Sequence, residues 1–535
     1  MSAKSSVSPA SPGRGLAHQV GGRWAASPWW PRAPLAALLL AGTVLIWTRL
    51  HGLDVSLWHD EVISVIDYSS RGPQAILFGR YEPNNHALFN LLAWASSSLF
   101  GGDEVIPRLW SVLPALAAVG VVVWWCARRG WIWVGVTFAV LAAASPVHLQ
   151  YAKEARGYGL AMLAAAVLLV SADRITRYGP NRWLAVFGTA GVVGMCTFPP
   201  FVLAFGGQAA ALLLSRIRRR QVITSTLVAA FGTLVFYAPV IDQIARDTVY
   251  YFGALGPEAI AAAPAGTTPP NPTDRPPVPL HTAVSGPFGV LAAPTFELIL
   301  TGAERLSCNA ACYGGLGLIV FGGLPALLAA AGAVTLWRKD ERVALLQLAL
   351  PLFLPFAALS LARFFFADRY MSFLLPYVLV LVALGVVAIF SRLLRTRTLG
   401  LAAAALGLAI GLLALERTVV LETAWSKAPR ENFKQAAAVV RERGAGPVFS
   451  NSIRPQGLMR YLDQEPIRLL PPEQVRAVTC RRPGPFVFID HSLFQEPADL
   501  SCLRRRAARR FRVSQRERGN IDVWIVSPEG RLRPS

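Results

Sequence analysis

The chain has 535 residues, of which 54% are hydrophobic and only 16% are charged. Its mean hydropathy of +0.43 excludes an ordinary soluble protein, and apolar runs of about 20 residues, long enough to cross a bilayer core, recur along it. The formal net charge of +21 would suggest a nucleic acid partner in a soluble protein. Here the arginines cluster in short loops between apolar runs, as the positive-inside rule predicts, so we expect a lipid bilayer and no nucleic acid as the partner.

The chain begins with residues 1–33, which are rich in Ser, Pro, Gly and Arg and predict a flexible cytoplasmic tail. A transmembrane domain over residues 34–416 follows, and its apolar runs must be helices because lipid offers no partner to backbone polar groups. About eleven transmembrane helices are predicted, at 34–50, 106–126, 131–146, 158–172, 183–198, 200–214, 223–240, 313–336, 343–361, 370–390 and 399–416.

Loop charge predicts the orientation of these helices. The basic loops are 126–130, 173–182, 215–221, 337–342 and 391–398. With eleven helices and a cytoplasmic N-terminus, all of them fall on the cytoplasmic side of a plasma (inner) membrane. The outer side then receives the first outer loop 51–105, the segment 145–159, the outer loop 241–312, the segment 362–372 and the C-terminal region.

Two outer segments have elements of their own. Residues 86–100 are apolar but too short to span a bilayer, which predicts an interfacial or re-entrant helix. Residues 417–535 combine a helical pattern at 431–444 with the short β-like runs "GPVFSN", "PFVFID" and "DVWIVS". We therefore predict a polytopic α-helical membrane protein with a C-terminal extracytoplasmic α/β domain, which we favour as a scaffold or acceptor-docking module over a catalytic one.

The cysteines divide by position. Cys126 and Cys196 lie in apolar runs and are interpreted as small core residues. Cys308 and Cys312 share an outer loop, and Cys480 and Cys502 share the tail. In an oxidising compartment these four are candidates for disulfides. Zinc is the competing interpretation, but no histidines stand beside the C-x3-C pair.

Polar and ionisable residues gather at one predicted membrane depth although they come from distant parts of the chain. Such groups are costly there unless they are paired or line a site. Asp60 or Glu61 is suited to act as a general base, and an arginine to hold a phosphate through its planar fork. The candidate catalytic residues are Asp60 and Glu61, and the candidate substrate-binding residues are Arg80, Glu82, Asn84, His86, Lys153, Glu154, Arg156, Tyr158, Arg369 and Tyr370.

A divalent metal is left open as a cofactor. Glu82 and His86 are four residues apart and would share a face if their segment were helical. Two ligands are too few to define a metal site, and His86 also suits a plain hydrogen-bonding residue at a helix start.

Four motifs occur in order over about residues 53–170: "SLWHDE", "YEPNNHALFNLL", "IPRLWSVLPALAAVGVVVWW" and "SPVHLQYAKEARGYGLAMLAAA". Together with "ADRYMSFLLPYVLVLVALG" at 367–385, this set resembles the C-type glycosyltransferases, which include protein O-mannosyltransferases, aminoarabinose transferases and the family-39-like bacterial enzymes. The resemblance implies inverting transfer of a sugar from a polyprenyl-phosphate donor at the outer face, to a glycan, lipid or protein acceptor.

The resemblance also implies residue roles. Asp60 matches the first-loop aspartate that serves as the base, and Glu154 and Arg156 match a segment near the donor phosphate or sugar. Asn84-Asn85-His86 stands where relatives often have His-Pro-Pro, so a metal role for that segment is in doubt.

Two other functions were weighed. A transporter or flippase of lipid-linked sugars would use the same cationic lipid-phosphate site, but transporters place ionisable groups near the bilayer midplane and show repeated halves, and neither feature is evident. A noncatalytic envelope-assembly scaffold would have no use for the Asp60-Glu61 pair. A polymerase or ligase of envelope glycan is a narrower form of the enzyme hypothesis.

Overall fold

The computed structural model describes residues 33–82, 85–178, 181–216, 218–252, 323–361, 371–393, 411–416, 418–420, 422, 432–443, 446–451, 456–462, 467–470, 472–481, 485–491, 500–506, 509–512 and 521–526. The chain divides into two compact units. The helical unit comprises Met1–Arg49, Ser111–Ala152 and Tyr158–Val419. The loop–tail unit comprises Leu50–Trp110, Lys153–Gly157 and Val420–Ser535.

Helices account for nearly all regular structure before the tail. In chain order they are α1 (Ala33–Leu50), α2 (His59–Val62), α3 (Pro73–Phe78), α4 (Ala87–Phe100), α5 (Val105–Arg128), α6 (Ile132–Ala144), α7 (Pro146–Lys153), α8 (Tyr158–Tyr178), α9 (Asn181–Thr197), α10 (Phe201–Leu214), α11 (Arg219–Tyr237), α12 (Ile241–Phe252), α13 (Leu324–Arg338), α14 (Arg342–Leu361) and α15 (Leu375–Leu393). A π-helical turn, Ile63–Tyr68, follows α2 directly.

Several helices are long enough to cross a membrane. Within the described ranges five pass on length and composition: Ala33–Leu50, Val105–Arg128, Tyr158–Tyr178, Arg219–Arg246 and Ser372–Leu393. The pair α6 and α7 makes a sixth if it counts as one span. Apolar helices too short for that test are also present, at α9, α10 and α13 and at the apolar part Arg342–Pro355 of α14. The count of eleven spans stays a prediction, and most of the predicted span 399–416 lies outside the described residues.

The predicted span 131–146 corresponds to α6, and the structure shows a bend at its end. Its helix α6 ends at Ala144, Ser145 is extended with ψ of 116°, and α7 leaves at an angle of 67°. The cause is Pro146, since a proline disfavours helical geometry in the residue that precedes it. The bend lets the chain carry "VHLQYAK" away from the axis of α6.

Close helix packing in the helical unit depends on glycines. A Cβ added at Gly385 on α15 would lie 1.7 Å from the carbonyl oxygen of Leu328 on α13. One added at Gly332 on α13 would lie 2.3 Å from the carbonyl oxygen of Leu381. Any larger residue at either position would separate these helices, and small residues at such contacts are typical of helix packing in membranes.

The described part of the tail forms an α/β arrangement with a mixed five-stranded sheet. Its elements are α16 (Phe433–Arg443), β1 (Val448–Ser450), α17 (Gln456–Tyr461), β2 (Ile467–Leu469), α18 (Pro472–Arg481), β3 (Phe486–His491), α19 (Ser501–Arg506), β4 (Arg509–Arg512) and β5 (Ile521–Val526). The strand order is β2-β1-β3-β5-β4. Strand β1 is parallel to β2 and β3, whereas β5 is antiparallel to β3 and β4. The three β-like runs of the sequence correspond to β1, β3 and β5, and the helical pattern at 431–444 corresponds to α16.

A small hydrophobic core stabilises one face of this sheet. Phe449, Phe486, Phe488 and Trp524 from the strands pack with Leu503 from α19. Cys480 at the end of α18 forms a disulfide with Cys502 in α19, and their Cα atoms are 5.1 Å apart. The cross-link holds together two helices that pack against each other on the sheet.

Candidate functional site

The buried carboxylate of Glu61 binds several segments of the loop–tail unit. Its side chain is 2% exposed. One carboxylate oxygen accepts hydrogen bonds from Arg108 Nε at 2.9 Å and from the backbone N–H of Ala155 at 2.6 Å. The other accepts from Arg108 Nη2 at 2.6 Å and from the N–H of Trp58 at 3.1 Å. Four donors offset the cost of burying this charge, so Glu61 joins three separate segments of the chain.

Arg108, at the start of α5, uses all five of its N–H donors. Two of them bind Glu61. The others reach the carbonyl oxygens of Leu53 and Val55, both at 2.6 Å, and of Ser56 at 3.1 Å. A guanidinium has five N–H groups in a planar fork, and here each has an acceptor. Arg108 therefore fixes both Glu61 and the segment that leads into α2.

Sequence reasoning missed Arg108. It lies in the quoted motif "IPRLW", but at the start of a predicted span, where a single arginine was taken as part of the apolar run. An ionisable residue inside a predicted transmembrane segment was itself a signal of a site.

Asp60 forms an ion pair with Arg156. Arg156 Nη1 donates to the Asp60 carboxylate at 2.9 Å, and the two side chains are 7% and 2% exposed for Asp60 and Arg156. Arg156 belongs to the short segment between α7 and α8, directly after Ala155, which binds Glu61. Two adjacent residues of that segment thus bind two adjacent carboxylates of α2, and the structure brings together three of the predicted site residues.

This arrangement combines two chemical capacities in one buried place. An ionised carboxylate can accept a proton from a hydroxyl group. Arginine can stabilise negative charge on a phosphate in a site that excludes water. Glu61 already accepts four hydrogen bonds from the protein, two at each carboxylate oxygen.

Lys153 is the last residue of α7, and Glu154 is the first residue of the segment between α7 and α8. The Lys153 ammonium is hydrogen-bonded to the carboxylate of Glu422 and to the carbonyl oxygen of His51, the latter at 2.6 Å. Glu422 is fully buried, and the sequence offered no reason to select it. The charge of Lys153 is therefore paired within the protein. Glu154 is buried, and its carbonyl oxygen accepts a hydrogen bond from the N–H of Arg156 at 2.6 Å.

Three further predicted residues lie around α4. Arg80 is exposed, and its carbonyl oxygen accepts a hydrogen bond from the Tyr68 hydroxyl at 2.8 Å. Glu82 lies outside any helix, and α4 begins only at Ala87. Glu82 and His86 consequently do not share a helix face. The prediction that they do required their segment to be helical, and the structure does not meet that condition. His86 is buried at the N-cap position, and its carbonyl oxygen accepts the N–H of Asn90.

Tyr158 belongs to the helical unit. It begins α8 and is 1% exposed. Its ring packs edge-on against Tyr151, with centroids 5.0 Å apart, and against Phe198, with centroids 5.9 Å apart. The remaining candidates, Asn84, Arg369, Tyr370, Cys308 and Cys312, lie outside the described residues.

The overall architecture resembles solved structures. ArnT from Cupriavidus metallidurans in the apo state aligns with a TM-score of 0.53 and 12% identity, over 92% of this chain and 98% of that one. The same protein bound to undecaprenyl phosphate aligns with a TM-score of 0.52 and 12% identity, over 93% and 98%. The chain therefore shares the fold of ArnT.

The two sequence comparisons find no match. No family model and no curated protein matches the chain. The oligosaccharyltransferase of Archaeoglobus fulgidus, in complex with Zn and sulfate, aligns with a TM-score of 0.47 and 14% identity over 81% of this chain and 62% of that one, which is too weak a likeness to bear on the site.

Within the described ranges, no group of three or more His, Cys, Asp or Glu side chains could hold a metal ion. Asp60 and Glu61, the two adjacent carboxylates, are each bound to a guanidinium. A divalent metal as cofactor stays a prediction, and the roles proposed below are those of this chain's own side chains.

Proposed function

We propose that the protein transfers a sugar from a polyprenyl-phosphate donor to a hydroxyl group of a glycan, lipid or protein acceptor, with Asp60 as the general base. The observation that carries the proposal is the buried ion pair between Asp60 and Arg156, set beside the Glu61–Arg108 pair. The fold supports it, because the similar ArnT structure was obtained with undecaprenyl phosphate bound.

In the proposed reaction the acceptor hydroxyl oxygen attacks the anomeric carbon of the sugar from the face opposite the phosphate. Asp60 takes the hydroxyl proton as the new C–O bond forms. The bond between the anomeric carbon and the phosphate oxygen breaks, and its electron pair leaves with the polyprenyl phosphate. One bond is made and one is broken at that carbon, so the product has inverted configuration.

Arg156 is assigned two tasks in this reaction. It orients the Asp60 carboxylate in the free enzyme, and it stabilises the negative charge that develops on the departing phosphate. Glu61 and Arg108 are assigned to orientation. They hold α2 and the segment 53–56, so that Asp60 is placed before the substrate binds.

The membrane arrangement is part of the proposal. A polyprenyl phosphate keeps its chain in the bilayer and its phosphate at the headgroup level, so the reacting groups should lie at helix ends. Asp60 follows α1 by ten residues, and Arg156 falls between α7 and α8. The positive-inside rule assigns this side to the exterior of a plasma membrane.

The proposal is tested with the purified full-length protein and a panel of polyprenyl-phosphate sugars, with product detected by mass spectrometry. Asp60→Asn should reduce transfer by roughly a thousandfold or more while the protein still accumulates in membranes, since it removes the base. Asp67→Asn is the matched control, because Asp67 is also in the first loop but pairs with the exposed Arg71. Normal turnover by the Asp60 variant would refute its assignment. Movement of lipid-linked sugar across vesicles without transfer would favour the transporter.

A further inference from the structure

The segment 53–58 runs directly into α2, which carries Asp60. On one side of the segment, Arg108 binds the carbonyl oxygens of Leu53, Val55 and Ser56. These contacts belong to the first loop and the helix that follows it. The N–H of Leu57 and the carbonyl oxygen of Asp54 bind other partners.

Those other partners come from the tail, within the same loop–tail unit. Lys434 Nζ donates to the carbonyl oxygen of Asp54 at 2.6 Å. The N–H of Phe433 donates to Ser56 Oγ at 3.1 Å. The N–H of Leu57 donates to the hydroxyl oxygen of Tyr461 at 3.2 Å. The helices α16 and α17 thus bind three residues of the chain that lead to the proposed base.

Tyr461 also reaches the other end of the first loop. Its hydroxyl donates to Glu104 Oε1 at 3.0 Å, while Lys434 binds Glu104 Oε2 at 2.7 Å. Burial raises the pKa of Tyr461 to about 12, so the hydroxyl keeps its proton at neutral pH and can donate. One hydroxyl group therefore links Leu57 and Glu104, which are 47 residues apart in the sequence.

The tail helix also packs against α2 itself. A Cβ added at Gly457 on α17 would lie 2.9 Å from the ring of Phe433 and 3.1 Å from the side chain of Val62. Such close approach leaves little room for α2 to move relative to α17. Tyr461 thus binds Leu57 two residues before α2 begins, and the apolar contact at Val62 lies on α2 itself.

We propose that Tyr461 is a positioning residue for the reaction: from the C-terminal region it holds the N–H of Leu57 and so fixes the place of Asp60. This inference rests on the proposed function. It gives the tail a part in catalysis itself, in addition to any docking of an acceptor. Asp60 lies only three residues after Leu57, so a shift of the segment moves the carboxylate, and small displacements of reacting groups reduce rates steeply.

The first test does not depend on activity. Hydrogen–deuterium exchange is measured on the full-length protein for peptides that cover residues 53–62. Tyr461→Phe removes only the hydroxyl, so exchange in these peptides should become several-fold faster. Thr479→Val is the matched control, because it removes a buried hydroxyl of α18 that donates to the carbonyl oxygens of Val475 and Arg476 in the same helix. Unchanged exchange in the Tyr461 variant would overturn the proposal.

The second test separates positioning from stability. In the transfer assay Tyr461→Phe should lower kcat by about tenfold with little change in the KM for the donor, because Asp60 is displaced and the donor site is intact. Glu104→Gln should act in the same direction, and the double variant should be little worse than Tyr461→Phe, since both substitutions break one unit. Lower abundance with normal kcat would show a merely structural role and overturn the proposal.

Failure of this inference can be distinguished from failure of the proposed function. If the unaltered protein transfers sugar and Asp60→Asn does not, but Tyr461→Phe keeps full kcat, only the inference fails. If the unaltered protein transfers no sugar, the proposed function fails, and the exchange measurement still decides whether Tyr461 orders the segment 53–58.

Discussion

The Arg108–Glu61 pair gives a quantitative prediction. Arg108→Met preserves volume but removes five hydrogen bonds and leaves the Glu61 carboxylate, 2% exposed, with only the backbone N–H groups of Trp58 and Ala155. Removal of one partner of a buried ion pair costs about 3–5 kcal/mol. Glu61→Gln removes the charge while keeping an oxygen acceptor, and we expect it to cost about 2 kcal/mol.

The double variant distinguishes a specific ion pair from general damage. Once Glu61 is neutral, loss of Arg108 no longer leaves a buried charge, so the combined loss should be about 2 kcal/mol smaller than the sum of the single losses. The carbonyl oxygens of Leu53, Val55 and Ser56 still lose their donor, which is why the double variant remains destabilised.

The assay is equilibrium unfolding of the full-length protein in mixed micelles, with the slope of the transition compared between variants. Arg246→Met serves as the control, because Arg246 is 63% exposed and its partner Asp242 is 66% exposed; we expect a loss below about 1 kcal/mol there. Single losses that add within about 0.5 kcal/mol would refute the coupling between Arg108 and Glu61.

Two further predictions concern the tail and its attachment. Burial raises the pKa of Glu104, but the hydrogen bond and charge of Lys434, with Tyr461 and Arg460, outweigh it and lower the pKa from its usual 4.5. A carboxyl group with a lowered folded-state pKa contributes stability above its unfolded value, so this contribution should be present above pH 4.5 and lost as the pH falls further. Glu104→Gln should flatten that part of the pH–stability curve, and an unchanged curve would contradict the assignment. Cys480→Ser opens a cross-link between residues 22 apart in the sequence, and we expect the tail to lose about 2–4 kcal/mol of stability. A melting temperature of the tail that is equal with and without reductant would contradict this.

Local patterns in the sequence were informative about the elements. The period of hydrophobic residues and the length of apolar runs predicted helices at α1, α5, α8 and α15, because a lipid-facing backbone has no other way to satisfy its polar groups. Short β-like runs in the tail likewise predicted β1, β3 and β5. The break at Pro146 was also readable from its sequence, since a proline restricts the residue before it, and the predicted span 131–146 ends at that residue.

Partners within the site were harder to predict. Asp60 was selected as a candidate general base and Arg156 separately as a candidate phosphate-binding residue at the same membrane depth. Their pairing required the segment after α7 to return to α2. Arg108, Glu422 and Tyr461 were missed, because each is unremarkable among its neighbours in the sequence. Their importance comes from burial beside a charged or polar group that is 47, 269 and 404 residues away.

The sequence by itself determined the class of the molecule, and it supplied the candidates for its reactive groups. Hydrophobicity, loop charge and the ordered motifs are properties of neighbouring residues, and the physical rules that act on them are local or depend only on the bilayer. Only the tertiary structure showed which groups bind Asp60 and Glu61. The four donors that saturate Glu61 come from Trp58, Arg108 and Ala155, and long-range packing brings the last two to it. Hydrogen bonds of this kind form between groups that are adjacent in space, and sequence spacing carries no record of them.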